Sequence, residues 1–188
     1  TRAVRAEDGW GCPATGPAPA GARDKIVLMS LNIGDRLPDA TFRTVTPEGV
    51  KELSTADVFA GKKVVLFGVP GAFTGVCHKM HMPTYVANHD AIKSKGVDTI
   101  ACVAVNDQFV LDAWAQASGA TDKILMLADG NGTFTKAVGL EFDGSGFGLG
   151  TRSRRYAAVV EDGVVTDLKV EDSPGTVSVS SAESICGL

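Results

Sequence analysis

Seven residues, KVVLFGV at Lys63–Val69, are almost wholly apolar and are cut off at once by Pro70-Gly71. A run this short and continuous suits a strand covered on both faces, because a half-exposed strand would alternate apolar with polar residues. A second apolar run, 97–105, predicts another such strand. Between them, 74–95 reads as a helix that Pro83 kinks or restarts and Gly96 stops. Strand, helix and strand in that order form a unit whose strands must be parallel, with a right-handed crossover.

The flanking sequence extends this unit. Residues 40–45 and 50–53 around Pro47-Glu48-Gly49 predict a hairpin, and Ser54 can cap a short helix ending near Gly61. Asn106 or Asp107 caps a helix that carries Phe109, Val110, Ala113, Trp114 and Ala117 on one face. A strand at 124–127, a turn at 129–132, a short helix at 133–138 and a glycine-rich loop at 143–150 follow. Strands at 156–160 and Val164–Val170 flank Glu161-Asp162-Gly163, a hairpin signal, and Ser180 with Glu183 reads as a capping box for a last helix. The terminal hairpin must be antiparallel, so the whole is an α/β domain: a central mixed β-sheet flanked by helices, the layout of a thioredoxin-like fold, with an added N-terminal β-hairpin.

The 188 residues suffice for one such domain, and 44% apolar with 21% charged residues is a globular balance. A net charge of −4 argues against a nucleic-acid binder, and no apolar run is long enough to span a bilayer. Residues 1–28, containing GWGCPATGPAPAGAR, have no strand or helix period and read as a flexible arm or targeting remnant ahead of a domain at 29–188.

Cys12, Cys77, Cys102 and Cys186 are too few for a disulfide scaffold and too widely spaced for a structural zinc site. Cys77 stands out. It falls after a buried strand and a Pro-Gly break, in the first turn of a predicted helix, where free N–H groups and the helix dipole favour an anion such as a thiolate. Position alone also allows a Cys that merely packs on the sheet. Thr74, three residues earlier, can bring its hydroxyl to the same pocket.

Pro70, Thr74 and Cys77, within FGVPGAFTGVC, fit P-x-x-x-T-x-x-C. This stretch resembles the active-site motif of peroxiredoxins, specifically the type II or Prx5-like subgroup. The resemblance continues through GVDTIACVAVND, ILMLADGNGTFTKAVGLE, RSRRYAAVVEDGVV and VSSAESICGL, from about Ile33 to Leu188. It implies a thiol peroxidase for hydrogen peroxide and small alkyl hydroperoxides, working without a metal or organic cofactor. By that resemblance Cys77 is the peroxidatic cysteine, Pro70 shields the pocket, Thr74 hydrogen-bonds the peroxide, and Arg155 in RSRRY is the active-site arginine, with Arg152 a weaker second. A guanidinium suits this task because it stays charged and offers several donors while charge moves from sulfur to oxygen.

Plant type II relatives carry a Cys at the spacing of Cys102, 25 residues after Cys77, assigned there as the resolving thiol. The local pattern instead buries Cys102 in a strand, where a free Cys is commonly inert. Recycling therefore runs either through Cys102 with thioredoxin or by direct reduction with glutaredoxin and glutathione. The other Prx5-like site for a resolving Cys reads Thr176-Val177-Ser178-Val179 here. Relatives usually have Pro after the motif Thr, where this chain has Gly75, a change expected to loosen the first turn. The resemblance further implies a homodimer, and together with the arm it favours a chloroplast location over cytoplasm or mitochondrion.

Two other readings fit the same sequence. Cys77, His78, His81 and His89 supply metal-ligand types at partly helical spacing. A thioredoxin-like domain can also serve as a non-enzymatic interaction module, which would need no reactive Cys77.

Overall fold

The computed structural model describes residues 30–188, so the arm expected at 1–28 lies outside the described residues. Its strands are β1 (Thr41–Thr46), β2 (Gly49–Ser54), β3 (Lys63–Val69), β4 (Thr99–Ala104), β5 (Leu125–Ala128), β6 (Glu141–Asp143), β7 (Thr151–Ser153), β8 (Tyr156–Glu161) and β9 (Val164–Val170). Its helices are α1 (Thr55–Phe59), α2 (Met82–Ala87), α3 (His89–Ser94), α4 (Gln108–Ser118), α5 (Thr133–Ala137) and α6 (Ala182–Cys186).

Seven strands form one mixed sheet in the order β2-β1-β5-β4-β3-β8-β9. The apolar strands β3, β4 and β5 run parallel at its centre, and β8 lies antiparallel against β3. Alternation along β3 divides the core. Val65, Phe67 and Val69 face a layer containing Tyr85, Ile92, Trp114 and Ile185, whereas Val64 and Leu66 face Phe42, Phe59, Phe134 and Leu140. Helices thus cover both faces, and the thioredoxin-like layout with its added hairpin is the observed one.

The antiparallel pairing of β3 and β8 places the site. Gly68 lies opposite Tyr156, so Pro70, just past the end of β3, and Arg155, just before β8, meet at one end of these neighbouring interior strands. Two strands far apart in sequence thereby deliver a nucleophile loop and a buried cation to one point.

Four local expectations need correction. The helix expected at 74–95 is broken at Asn88 as well as restarting around Pro83. The Asn88 side chain donates to Thr84 O at 2.8 Å and to Glu183 Oε1 at 2.7 Å, competing with the helix ladder. On α4, the apolar face of Phe109, Val110, Ala113, Trp114 and Ala117 is not the one that packs inward: Phe109 is 64% exposed, and the helix buries Leu111, Trp114 and Ala115. Two apolar stripes overlap on this helix at Trp114, and that bulky ring turns the second one inward. The loop at 143–150 closes a small hairpin, with β6 paired to β7 and one 3₁₀ turn at Ser145–Phe147. Finally, Ser180 does not cap the last helix, because its N–H and hydroxyl are taken by Glu171. Ser181 caps α6 instead, accepting from Ser184 N.

Candidate active site

Beyond β3 the chain turns sharply. Phe73 adopts a left-handed φ of 58°, a strained conformation for a bulky residue, and Asn106 Oδ1, past the end of β4, accepts from Ala72 N at 3.0 Å. The loop is thus braced by the neighbouring strand end. Thr74 donates its hydroxyl to Gly71 O at 2.9 Å, which leaves the oxygen lone pairs free to accept. Helical conformation starts at Gly75, and nothing lies within 4 Å of the place a Cβ would occupy there.

Cys77 opens a π-helical turn, Cys77–His81, closed by Met82 N donating to Cys77 O. His81 stands one turn beyond Cys77, and both side chains are fully buried toward Arg155. Arg155 is itself only 1% exposed. Its Nη2 donates to Cys77 Sγ at 3.4 Å and to Pro174 O at 2.8 Å, and its Nη1 donates to His81 Nδ1 at 3.0 Å. Its Nε is buried without a hydrogen-bond partner. Among the described residues no carboxylate lies within ion-pair distance of this cation. A buried charge without a counter-ion is costly, and the sulfur it touches is the group able to supply one.

His81 acts as a relay of position. Arg155 can only donate, so Nδ1 must accept and the ring proton resides on Nε2, which donates to Ser180 O at 2.8 Å. Burial, reinforced by the charge of Arg155, lowers the His81 pKa to about 4, so the ring is neutral at pH 7. Tyr85 stacks on Phe67 with ring centroids 3.9 Å apart and donates to the same Ser180 carbonyl at 2.7 Å.

The structure therefore brings Cys77 and Arg155 together and sets the Pro70–Thr74 loop beside them. Arg152 lies in β7 near Gly71, with its Nε donating to Leu149 O at 2.8 Å, and Arg154 donates to Glu171 O. Of the three arginines it is Arg155 that reaches the sulfur. Cys102 lies in β4, fully buried, where burial, with the nearby Cys77, pushes its thiol well up. Cys186 is half-buried in α6.

The histidines do not converge on a metal. His78 accepts from Trp114 Nε1 at 3.0 Å, His81 serves Arg155 and Ser180, and His89 faces Asp90. Among the described residues no cluster of three or more His, Cys, Asp or Glu side chains could hold an ion. Asp129, at the turn after β5, is a buried cap that accepts from Phe134 N and Thr135 N at the start of α5. The sequence allowed His81 as a metal ligand or as a pocket-wall residue, and its place one turn past Cys77 makes it the second. Sequence reasoning missed Tyr85, Glu171 and the carbonyls of Pro174 and Ser180; backbone acceptors carry no residue-type signal.

A family model described as Redoxin matches residues 32–185. The chain is 45% identical over 163 residues to Peroxiredoxin-2E, chloroplastic, of Arabidopsis thaliana, covering 85% of this chain and 69% of that one. It is 48% identical over 132 residues to Peroxiredoxin-2F, mitochondrial, of the same plant, covering 70% and 66%. A crystal structure of reduced Prx3 in complex with hydrogen peroxide from Vibrio vulnificus aligns with a TM-score of 0.79 and 52% identity, over 84% of this chain and 98% of that one.

Proposed function

The chain belongs to the redoxin family as a type II peroxiredoxin, hence a thiol peroxidase, and on that premise we propose that Cys77 is its peroxidatic cysteine and Arg155 the cation that activates it. The observation that carries this reading is the contact between a buried guanidinium and a buried sulfur, Arg155 Nη2 to Cys77 Sγ at 3.4 Å. A thiolate at Cys77 compensates the buried charge of Arg155. It attacks the terminal oxygen of hydrogen peroxide or a small alkyl hydroperoxide. The S–O bond forms as the O–O bond breaks, the sulfur is oxidised to a sulfenic acid, and hydroxide or alkoxide leaves to take a proton from water. Negative charge moves from sulfur to oxygen along the way. The partnerless Nε–H of Arg155 is a donor left for the substrate oxygen, and Thr74 supplies an acceptor for the hydroperoxide O–H. Pro70, buried and without an N–H, excludes water beside the sulfur without offering a competing donor.

For recycling we favour an external thiol. Cys102 is sealed in the central sheet and its thiol is pushed up by burial, which disfavours it as an attacking group. One equivalent of a small thiol such as glutathione displaces water from the sulfenic acid, and a second thiol, or glutaredoxin, releases Cys77 as a new disulfide forms. The helix after Cys77 is split into segments of five, six and six residues, short enough to open locally and admit that thiol. A second arrangement, with Cys102 resolving and thioredoxin reducing, requires the strand itself to open.

Peroxide consumption driven by dithiothreitol, then by glutathione with glutaredoxin, then by thioredoxin, tests the scheme. Cys77→Ser is expected to abolish turnover, and full activity in that variant refutes the assignment. Cys102→Ser is expected to keep turnover with glutathione; loss of steady-state turnover with single-turnover oxidation intact supports the resolving role instead. We also assign a homodimer, supported by the exposed apolar stripe of Phe109, Ala113 and Ala117 on α4, and a chloroplast location, supported by the likeness to a chloroplastic relative.

A further inference from the structure

Glu171 is a buried carboxylate that the reaction above does not use. It follows the last residue of β9, is 3% exposed, and sits where the chain leaves the sheet to run back over the site. Its backbone N–H donates to Arg155 O at 2.9 Å, continuing the β8–β9 ladder by one step. Its side chain gathers the returning segment. Oε1 accepts from the N–H groups of Ser178 at 2.7 Å, Val179 at 2.9 Å and Ser180 at 2.9 Å, and from Ser180 Oγ at 2.8 Å. Oε2 accepts from Ser178 Oγ at 2.8 Å and Thr176 Oγ1 at 3.3 Å. Burial alone would raise the pKa of this acid, but the donors of Ser178 and Ser180 outweigh it and hold it down to about 2, so the clamp is ionised at any physiological pH.

The clamped segment, 172–180, holds the acceptors that aim the guanidinium. Pro174 O takes one N–H of Arg155 Nη2, the nitrogen that also touches Cys77. Ser180 O takes His81 Nε2–H, which fixes the tautomer that lets His81 Nδ1 accept from Arg155 Nη1. The carboxylate bonds residues 176 and 178–180, which run directly into one of these carbonyls and follow two residues after the other. We propose that Glu171 is a positioning residue for peroxide reduction: by clamping the 172–180 segment it sets the carbonyls of Pro174 and Ser180 and so holds Arg155 against Cys77. The proposal rests on the peroxidatic reading of Cys77 and Arg155 given above.

Three variants and two rates test it. Glu171→Ala strands three buried backbone N–H groups and frees the segment. Glu171→Gln keeps a carbonyl oxygen for those N–H groups, and its amide can donate to the hydroxyls of Ser178 and Thr176, which turn round to accept. Glu171→Asp keeps the charge but shortens the reach. The first rate is the second-order reaction with hydrogen peroxide, which needs the oxygen held by the guanidinium. The second is alkylation of Cys77 by iodoacetamide, a neutral reagent that does not. Glu171→Ala is expected to slow the peroxide reaction about 10- to 100-fold, the cost of misplacing a catalytic group by about an ångström, and alkylation by a smaller factor, because alkylation loses the cation beside the sulfur but needs no oxygen held. Glu171→Gln should return most of the peroxide rate, and Glu171→Asp should fall between the two. If Glu171→Ala does not fold, the split between the two rates is read on Glu171→Asp. A folded variant with the wild-type peroxide rate, or with both rates lowered in parallel, overturns the proposal. Failure of the underlying reading looks different, since the wild-type protein would then show no peroxide reaction at Cys77 at all.

Discussion

Gly68 is the one position in β3 where the strand gives up a side chain, and the reason lies across the sheet. A Cβ built on Gly68 would stand 2.1 Å from Tyr156 Cε1, 2.6 Å from Cδ1 and 2.7 Å from Cζ, far inside the 3.4 Å at which ordinary carbon contacts begin. The Tyr156 ring fills that space, is 1% exposed, and belongs to the residue that follows Arg155. In Gly68→Ala the ring must move by more than an ångström, or β8 must shift against β3. Overpacking of this kind costs about 1 to 3 kcal/mol, which for a domain of this size lowers the melting temperature by about 2 to 12 °C. Movement of Tyr156 also pulls on the backbone of Arg155, so the peroxide rate is expected to fall about tenfold or more while the protein stays folded at 25 °C. Differential scanning fluorimetry and stopped-flow peroxide reduction measure the two effects. Tyr156→Val in both backgrounds completes a double-mutant cycle, in which the smaller side chain should relieve the Gly68→Ala penalty by at least about 0.5 kcal/mol. Strict additivity, or a Gly68→Ala variant with wild-type melting and rate, refutes the reasoning.

Acid should destabilise the fold in two steps. His81 has a folded pKa of about 4 against 6.5 when unfolded, so its contribution is whole above pH 6.5 and is lost as pH falls toward 4, a loss on the order of 3 kcal/mol. Glu171, about 2 in the fold against 4.5 unfolded, removes a further contribution between those values. His81→Asn should erase the first step in melting curves taken from pH 7 to 4, and a wild-type melting temperature that stays flat between pH 7 and 5 refutes the assignment. On the surface, Phe109→Lys places a charge in the exposed α4 stripe and should shift sedimentation from dimer to monomer; a variant that sediments as wild type removes that face from the interface.

What could be read from sequence was whatever depends on local residue type. Continuous apolar runs identified β3 and β4 because strands buried on both faces have no freedom to be polar. Ser54 and Asp107 were legible as caps because a cap needs a short oxygen-bearing side chain at the helix start. Cys77 emerged from a helix-start position and a motif, and Arg155 from the family resemblance of RSRRY. The packing of α4 was not legible, since periodicity shows that an apolar face exists without showing which of two overlapping stripes the sheet will take. The capping box was misplaced by one residue for a similar reason: Ser180 and Ser181 are equivalent locally, and only a carboxylate nine residues back distinguishes them.

The same distinction explains why the inner layer of the site escaped sequence reasoning. The nucleophile and its cation are side chains, and chemistry restricts which residues can fill those roles. What holds the cation in place, besides the His81 ring, is backbone: Pro174 O directly and Ser180 O through that ring. A carbonyl is supplied by any residue, so selection at those positions can act only on the path of the chain. In this fold that path is fixed by one ionised carboxylate with six donors around it. The burden of specificity therefore falls on Glu171, a residue that touches neither the sulfur nor the peroxide, and a change there should register in the chemistry before it registers in the outline of the fold.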